Sequence, residues 1–234
     1  MAILSYIALS IVASAVHELG HLLMGLAVGF KFHMLVVGPF GLKRNENDKV
    51  KFYLEKDLSL WGGIGAALPT NDDDSNYEKF GHVLLAGPAA SILFGSICLP
   101  LGIHFDQMLL ILLGTMPIAM GLVCLVPFRN GAFYTDGGRW LRMFKNEKTR
   151  AVEIATWRMT QKAIVTGNCA ELDTKDIALL TNDEDSRTQY LGHYYAYHLH
   201  NDKHNHEGAE NAKKSLSDLK TKVPKQMVTM FQLK

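Results

Sequence analysis

The sequence predicts a mostly α-helical integral membrane protein. We expect three transmembrane helices, a β-hairpin inserted between the first two on the cytoplasmic face, and a C-terminal soluble helical domain. Charge is distributed unevenly, with 22 charged residues in positions 1–145 and 25 in positions 146–234. The charge-poor part also contains three apolar runs, each longer than the roughly 18 to 20 residues that cross a hydrocarbon core.

The three apolar runs define the predicted spans. The first is interrupted by a single charge, Glu18, and the other two carry none. The spans and the loop between the first two are residues 1–30, 80–105, 107–128 and 31–79. We therefore predict a membrane-embedded domain over residues 1–145 and a separate helical domain over residues 146–234.

Basic residues indicate the orientation of the spans. The loop over 31–79 carries seven Lys and Arg residues, and residues 129–145 carry four more, whereas the turn over 104–107 carries none. By the positive-inside rule we expect a multi-pass protein of the cell membrane, with its N-terminus outside and its C-terminal domain in the cytoplasm. The formal net charge of +1 gives no electrostatic basis for binding nucleic acid.

A metal-binding sequence lies inside the first span. Residues 17–21 read His-Glu-Leu-Gly-His, an H-E-x-x-H sequence. On a helix, the imidazoles of His17 and His21 share one face and converge on one ion, and the Glu18 carboxylate can reach a water beside it. An ionisable group at the bilayer centre costs about 2.5–3.5 kcal/mol. Three such groups in five residues therefore indicate function rather than packing between helices.

A Zn²⁺ site with two histidines needs a third protein ligand, usually a carboxylate. Asp106 lies at the predicted outer turn, on the wrong side of the membrane. Asp136 follows the third span on the cytoplasmic side, and the glycines after it permit a close backbone approach. We therefore predict that His17, His21 and Asp136 bind one Zn²⁺ per chain.

Two further sequence elements accompany the H-E-x-x-H sequence. Residues 86–91 in the second span read Ala-Gly-Pro-Ala-Ala-Ser, and residues 136–139 after the third read Asp-Gly-Gly-Arg. Over about residues 1–145, the three elements together resemble the site-2 protease family of intramembrane zinc metalloproteases. The resemblance implies a three-transmembrane-helix metalloprotease core that cleaves membrane-spanning or hydrophobic peptides. It also implies that Zn²⁺ binds to His17, His21 and Asp136 and that Glu18 is the catalytic base.

The sequence departs from that family in accessory positions. Ser91 stands where the second-span motif commonly has Asn, and Cys124 stands where another Asn is expected. Ser91 is therefore our candidate for an accessory polar group that helps to hold an oxyanion. In the implied reaction Zn²⁺ activates a water and polarises the scissile carbonyl, and Glu18 passes the proton of the water to the leaving amine.

The loop over 31–79 contains a predicted hairpin. Apolar or alternating runs at 33–42 and 50–55 flank residues 45–48, which read Asn-Glu-Asn-Asp and are typical of a turn. The hairpin edge either pairs with an extended substrate or only caps the helices. Residues 60–69 are too short and glycine-rich for a span, and we expect a re-entrant or interfacial loop there.

The region after residue 145 reads as a set of short helices. Helical segments are predicted at 149–165, 173–180, 187–200 and 207–220. Five histidines cluster between residues 193 and 206. They form either a second metal site or exposed polar positions on a helix and its turn. No cysteine or carboxylate pattern accompanies them, which favours the second interpretation.

Three functions fit the sequence. The first is a zinc endopeptidase whose partners are a hydrophobic peptide substrate and the lipid bilayer. The second is a zinc-binding membrane protein that binds substrate helices without cleaving them. The third is a membrane anchor whose cytoplasmic tail binds a protein partner. Glu18 favours the first, because a binding protein has little use for a buried glutamate beside two histidines, and the third leaves the intramembrane motif unexplained.

Overall fold

The computed structural model describes residues 2–45, 47–71, 73 and 75–233; Met1 of the first predicted span and Glu46 of the predicted turn lie outside these ranges. The chain forms two compact units. The N-terminal unit comprises Met1–Pro127 and Thr135–Trp140, and the C-terminal unit comprises Phe128–Tyr134 and Leu141–Lys234. The chain therefore leaves the N-terminal unit, returns to it for six residues around Asp136, and leaves it again.

Three long apolar helices dominate the N-terminal unit. They are α1 (Ala2–Ala27), α2 (Ser75–His104) and α3 (Met108–Leu125). All three are long and apolar enough to cross a membrane. At a rise of 1.5 Å per residue, α1 is about 39 Å long, which exceeds a hydrocarbon core of about 30 Å. The prediction of a mostly helical chain with three helices of this kind is confirmed, and the helices are compatible with a membrane protein.

Local backbone geometry ends each of the first two helices. α1 stops where Gly29 adopts a φ of 93°, and the N–H of Phe30 closes the last turn on the C=O of Gly25 at 2.8 Å. After α2, Asp106 adopts a φ of 52°, and the N–H of Gln107 donates to the C=O of Gly102 at 2.9 Å. These two turns send the chain from α1 into a sheet and from α2 directly back along α3.

The three helices turn small residues towards one another and large apolar residues outward. Gly20 of α1 lies against Ala86 and Ala90 of α2, where a Cβ on residue 20 would come within 2.7 Å of the Ala90 methyl. Such close backbone approach is the usual basis of helix packing in lipid. The exposed apolar side chains include Leu4, Leu23, Leu93, Ile97, Ile103, Leu109 and Leu122. This arrangement suits a bundle that faces hydrocarbon rather than water.

The segment between α1 and α2 forms a four-stranded antiparallel sheet. Its strands are β1 (Lys31–Val37), β2 (Phe40–Arg44), β3 (Val50–Leu54) and β4 (Ile64–Leu68), in the order β3-β2-β1-β4. The predicted turn does join β2 to β3, but the predicted strand over 33–42 is broken at Gly38, whose φ is 56°. The predicted re-entrant or interfacial loop over 60–69 is wrong for residues 64–68, because they pair with β1 as an edge strand.

The C-terminal unit is helical apart from one short hairpin. The hairpin consists of β5 (Arg129–Asn130) and β6 (Phe133–Tyr134). Helix α4 (Asp136–Met143) follows it, and its first five residues belong to the N-terminal unit. The remaining helices are α5 (Glu147–Thr166), α6 (Thr174–Thr181), α7 (Ser186–Asp202), α8 (His206–Leu219) and α9 (Lys225–Met230). The four predicted helical segments are confirmed within a few residues. Their N-cap side chains are Asn146, Asp173, Asp185 and Asn205.

The core of the C-terminal unit contains Met159, Leu180, Leu191 and Met227, each less than 2% exposed. The histidine cluster lies outside this core or at its border. Over residues 146–233, which the structure describes throughout, no three His, Cys, Asp or Glu side chains come together as a metal site. The predicted exposure holds for His204 and His206, whereas His193, His198 and His200 are half-buried on α7.

We expect Gly20→Ala to lower the free energy of unfolding by about 1 kcal/mol. The added methyl would come within 2.6 Å of the C=O of Ala86, which is backbone and cannot rotate away. Overpacking costs roughly 1–3 kcal/mol, and the higher helix propensity of alanine returns about 1 kcal/mol. Thermal unfolding of the detergent-solubilised protein measures the effect. Gly62→Ala is the control, since no atom lies within 4 Å of its added methyl. Equal stability of the two variants would refute the packing argument.

Candidate metal centre

Two histidines of α1 and the first residue of α4 meet inside the N-terminal unit. His17 Nε2 lies 3.1 Å from His21 Nε2, and Asp136 Oδ2 lies 3.2 Å from the former and 3.4 Å from the latter. Both histidines are buried. Among the residues that the structure describes, these three are the one group of metal-ligating side chains that could hold an ion.

The spacing of the three ligand atoms suits a small tetrahedral ion. Metal–ligand bonds of about 2.0–2.1 Å at tetrahedral angles place ligand atoms roughly 3.3 Å apart. The three measured separations of 3.1, 3.2 and 3.4 Å bracket that value. His17, His21 and Asp136 would therefore be the residues that hold such an ion. Two imidazoles and one carboxylate form a donor set that suits Zn²⁺.

Each imidazole is oriented through its other ring nitrogen. Nδ1 of His21 lies 2.7 Å from the C=O of Val83. Because a carbonyl can only accept, Nδ1 carries the proton and Nε2 presents its lone pair to the centre of the site. Nδ1 of His17 lies 3.1 Å from Ser91 Oγ, which is fully buried. Partners of this kind hold metal-binding histidines in one tautomer and one ring position.

One face of α2 carries the groups that orient the histidines. Val83, Gly87 and Ser91 follow one another at intervals of four residues and so lie along one side of the helix. A Cβ on Gly87 would overlap the ring of His21, so only glycine leaves room for the imidazole at this position. The Gly-Pro-Ala-Ala-Ser sequence is thus explained in part by the two side chains of α1 that pack against it.

Asp136 reaches the site at the start of α4. Thr135 precedes it; its hydroxyl donates to the C=O of Val126 at 2.7 Å and lies 3.3 Å from the N–H of Gly138, as an N-cap does. Burial raises the pKa of Asp136, but hydrogen bonds and charge from His17 and His21 outweigh burial and hold the pKa below its ordinary value. The carboxyl is therefore ionised at neutral pH, which is the form that binds a metal ion.

Glu18 is held beside the site by the sheet. The N–H of Gly65, in edge strand β4, donates to Glu18 Oε2 at 2.5 Å. The carboxylate also lies close enough to His17, His21 and Asp136 to interact with them electrostatically. A further contact joins α1 to the segment before β4, because the Ser14 hydroxyl donates to the C=O of Gly62. Glu18 is therefore held near the three ligands by a backbone group of the sheet.

The structure brings together all five site residues that the sequence singled out, although their roles remain predictions. Ser91 contacts His17, so its hydroxyl serves to orient a histidine, whereas the sequence suggested an oxyanion partner for it. Two backbone groups were missed, the C=O of Val83 and the N–H of Gly65. The four-residue spacing from Gly87 could have indicated Val83. Gly65 was hidden because its strand was read as an interfacial loop.

Asp136→Asn should remove metal binding, because the neutral amide is a poor ligand for a divalent ion. Titration of the metal-free protein with Zn²⁺ or Co²⁺ measures the affinity, and we expect a loss larger than the roughly 10–100-fold that changes to outer partners cause. Asp106→Asn makes the same chemical change at the turn between α2 and α3 and should leave the affinity unchanged. Undiminished binding by Asp136→Asn would exclude Asp136 as a ligand.

Ser91→Ala should weaken metal binding by about tenfold, since His17 loses the partner of its Nδ1 but keeps its position on α1. The same titration measures the change, with Ser96→Ala, an exposed serine on the same helix, as the matched control. If the two serine variants bind the metal equally well, the hydroxyl of Ser91 does not orient His17.

The residues present can therefore bind one divalent metal ion through two oriented imidazoles and one carboxylate, with a second carboxylate beside them. The Asp136 side chain is 22% exposed, which leaves the group accessible to water. Comparison with protein-family models, curated proteins and solved structures finds no match for this chain.

Proposed function

We propose that this protein is an intramembrane zinc metalloendopeptidase that hydrolyses peptide bonds in a transmembrane or hydrophobic peptide. One observation carries the proposal. Three ligand atoms lie at the mutual distances of a tetrahedral zinc site, inside a bundle of span-length apolar helices, next to a glutamate held by its own backbone donor. Binding alone would require the three ligands but not the positioned glutamate. The sequence resemblance to site-2 proteases supports the same conclusion.

The ligand set favours Zn²⁺ and hydrolysis. Catalytic zinc sites use three protein ligands, commonly two His and one carboxylate, and keep the fourth position for water or substrate. Bound here, Zn²⁺ would lower the pKa of a water and polarise the carbonyl of the scissile peptide. His17, His21 and Asp136 would hold the ion. The C=O of Val83 keeps His21 in the metal-binding tautomer, and Ser91 holds the ring of His17 in place.

Glu18 supplies the acid–base chemistry. Its carboxylate accepts the proton of the attacking water and then delivers that proton to the leaving amine, so that the peptide nitrogen departs as a neutral amine. The residue lies next to His17 in sequence and interacts with both histidines and Asp136. Its placement is therefore tied to that of the ligands, and the backbone of one helix sets the distance between base and metal.

The depth of the site suggests a substrate inside the membrane. His21 and His17 precede the end of α1 by six and ten residues, which corresponds to about 9 and 15 Å along the helix. A transmembrane substrate hides its carbonyls in helical hydrogen bonds and must unwind locally before cleavage. We expect sequences rich in helix-weakening residues at the cleavage site. The basic residues of the loop and of the segment after α3 put the site nearer the cytoplasmic face.

Edge strand β4 offers a place for the unwound chain. β4 pairs with β1 on one side, and the N–H of Gly65 projects from the other side to Glu18. An extended substrate could add to this edge as a further strand, with its backbone C=O groups accepting hydrogen bonds from the N–H groups of β4. By replacing Glu18 as the partner of the Gly65 N–H, the substrate would release the carboxylate for the water. The hairpin β2–β3, which the sequence suggested as the binding edge, lies on the far side of β1.

Glu18→Gln should abolish cleavage while leaving zinc bound, because the amide cannot accept the proton but none of the three ligands changes. Loss of general acid–base catalysis lowers rates by roughly 10²–10⁴-fold. The purified protein, reconstituted in liposomes with a panel of transmembrane peptides that carry glycine-rich central turns, is assayed by mass spectrometry of the products. Zinc content is measured on the same samples.

Glu207→Gln, the same change on exposed α8, serves as the control and should cut at the wild-type rate. Equal cleavage by the wild type and by Glu18→Gln would assign any activity to a contaminating protease. A wild-type protein without zinc would refute the proposed function. A protein that binds zinc and peptides but cuts none would favour the non-cleaving alternative.

A further inference from the structure

The six-residue segment that carries Asp136 is bounded on both sides by residues of the C-terminal unit. Thr135–Trp140 belongs to the N-terminal unit, whereas Phe128–Tyr134 before it and the chain from Leu141 onward pack with the C-terminal unit. We propose that the C-terminal unit positions Asp136 for metal binding, through Arg129 and Arg142 as positioning residues. The inference rests on the proposed function only in that Asp136 binds the metal.

The first flank is anchored by Arg129. Its Nη2 and Nε donate to the C=O of Ala132 at 2.9 and 3.1 Å, which closes the β5–β6 hairpin. Its Nη1 forms an ion pair with Asp185, the N-cap residue of α7, and its side chain is only 12% exposed. The hairpin that leads into Asp136 is thereby fixed to the start of a helix at the core of the C-terminal unit.

The second flank is anchored by Arg142. Its Nε donates to Glu153 Oε2 at 2.9 Å, and the Glu153 side chain is 8% exposed. The guanidinium of Arg142 also lies 4.3 Å from the ring centroid of Tyr134, and that of Arg129 lies 5.0 Å from the same ring. Tyr134 is the last residue before the segment, so a cation–π contact links the two ends of the segment directly.

We call Arg129, Tyr134, Arg142, Asp185 and Glu153 the arginine clasp. The clasp holds the two ends of Thr135–Trp140 at one separation, which restricts the conformations open to the six residues between them. Without the clasp, metal binding would have to order that segment. The entropic cost of ordering would make the free energy of metal binding less favourable. By linkage, a metal ion on Asp136 stabilises the clasp in return, and a partner that alters the C-terminal unit alters metal affinity.

The N-terminal unit also holds the segment, through Thr135 to the C=O of Val126 and through Arg139 over the ring of Phe80 at 4.8 Å. These contacts define the alternative, in which the N-terminal unit alone places Asp136. The two possibilities differ in one respect. Only the clasp predicts that a change in the C-terminal unit reaches the metal.

The test compares Arg129→Ala and Arg142→Ala with Lys148→Ala in the full-length protein. Lys148 forms an exposed ion pair with Glu184 in the same unit, so its loss removes a charge contact of the same kind outside the clasp. The first readout is hydrogen exchange of the amides of residues 135–140 in the metal-free protein. The second is zinc affinity by competition with a chelator. We expect faster exchange and a roughly tenfold weaker affinity in the two clasp variants, and wild-type values for Lys148→Ala.

Arg142→Lys keeps the charge beside Glu153 and should restore most of the affinity, which general destabilisation would not predict. If a clasp variant fails to fold, the wild type alone provides the test. Because a metal ion on Asp136 should stabilise the clasp, removal of zinc should speed hydrogen exchange of the amides of residues 128–134. The inference would be overturned if both clasp variants showed the exchange rates and zinc affinity of the wild type. It would also be overturned if removal of zinc left the exchange rates of residues 128–134 unchanged. The exchange of residues 135–140 is measured in the metal-free protein, so its comparison among the variants does not depend on peptide cleavage.

Discussion

The N-terminal unit depends on one electrostatic constraint, which is that ionisable groups inside an apolar helix bundle must be partnered. His17, His21, Glu18 and Asp136 bring four such groups together, and each group has at least one hydrogen-bond partner within the set, on the backbone or at Ser91. Leaving any one of them alone in a low-dielectric interior would cost several kcal/mol. The positions of α1, α2, β4 and the start of α4 all follow from meeting that requirement at one point.

The partners also prepare the group for chemistry. The C=O of Val83 and the hydroxyl of Ser91 settle which imidazole nitrogens face the centre, while the N–H of Gly65 holds Glu18 beside it. Two of these three partners are backbone groups, which tolerate substitution of their own side chains. Under the proposed function, these hydrogen bonds would preorganise the site for the metal.

The chain passes from the C-terminal unit into the N-terminal unit for six residues around Asp136 and then leaves it again. Asp136 comes from a segment of six residues whose flanks belong to the C-terminal unit, and under our proposal these flanks help to position it. Metal binding and folding are coupled whenever a ligand must be ordered. We propose that the C-terminal unit, which has its own core around Met159 and Leu191, affects metal binding through the chain that carries Asp136.

The sequence by itself determined the features that depend on local periodicity. Three charge-poor runs gave the long helices, and the spacing of His17 and His21 placed their imidazoles on one face, because both depend only on residues within a few turns. Asp136 was found as a candidate from topology, yet 119 positions separate it from His17, and only the tertiary structure decided that they meet. The same holds for β4, whose glycine-rich sequence shows no strand pattern, and for the contact of Ser91 with His17. Strand β4 forms because it pairs with β1, and Ser91 meets His17 because α2 packs against α1. Both depend on residues that are far apart in the sequence.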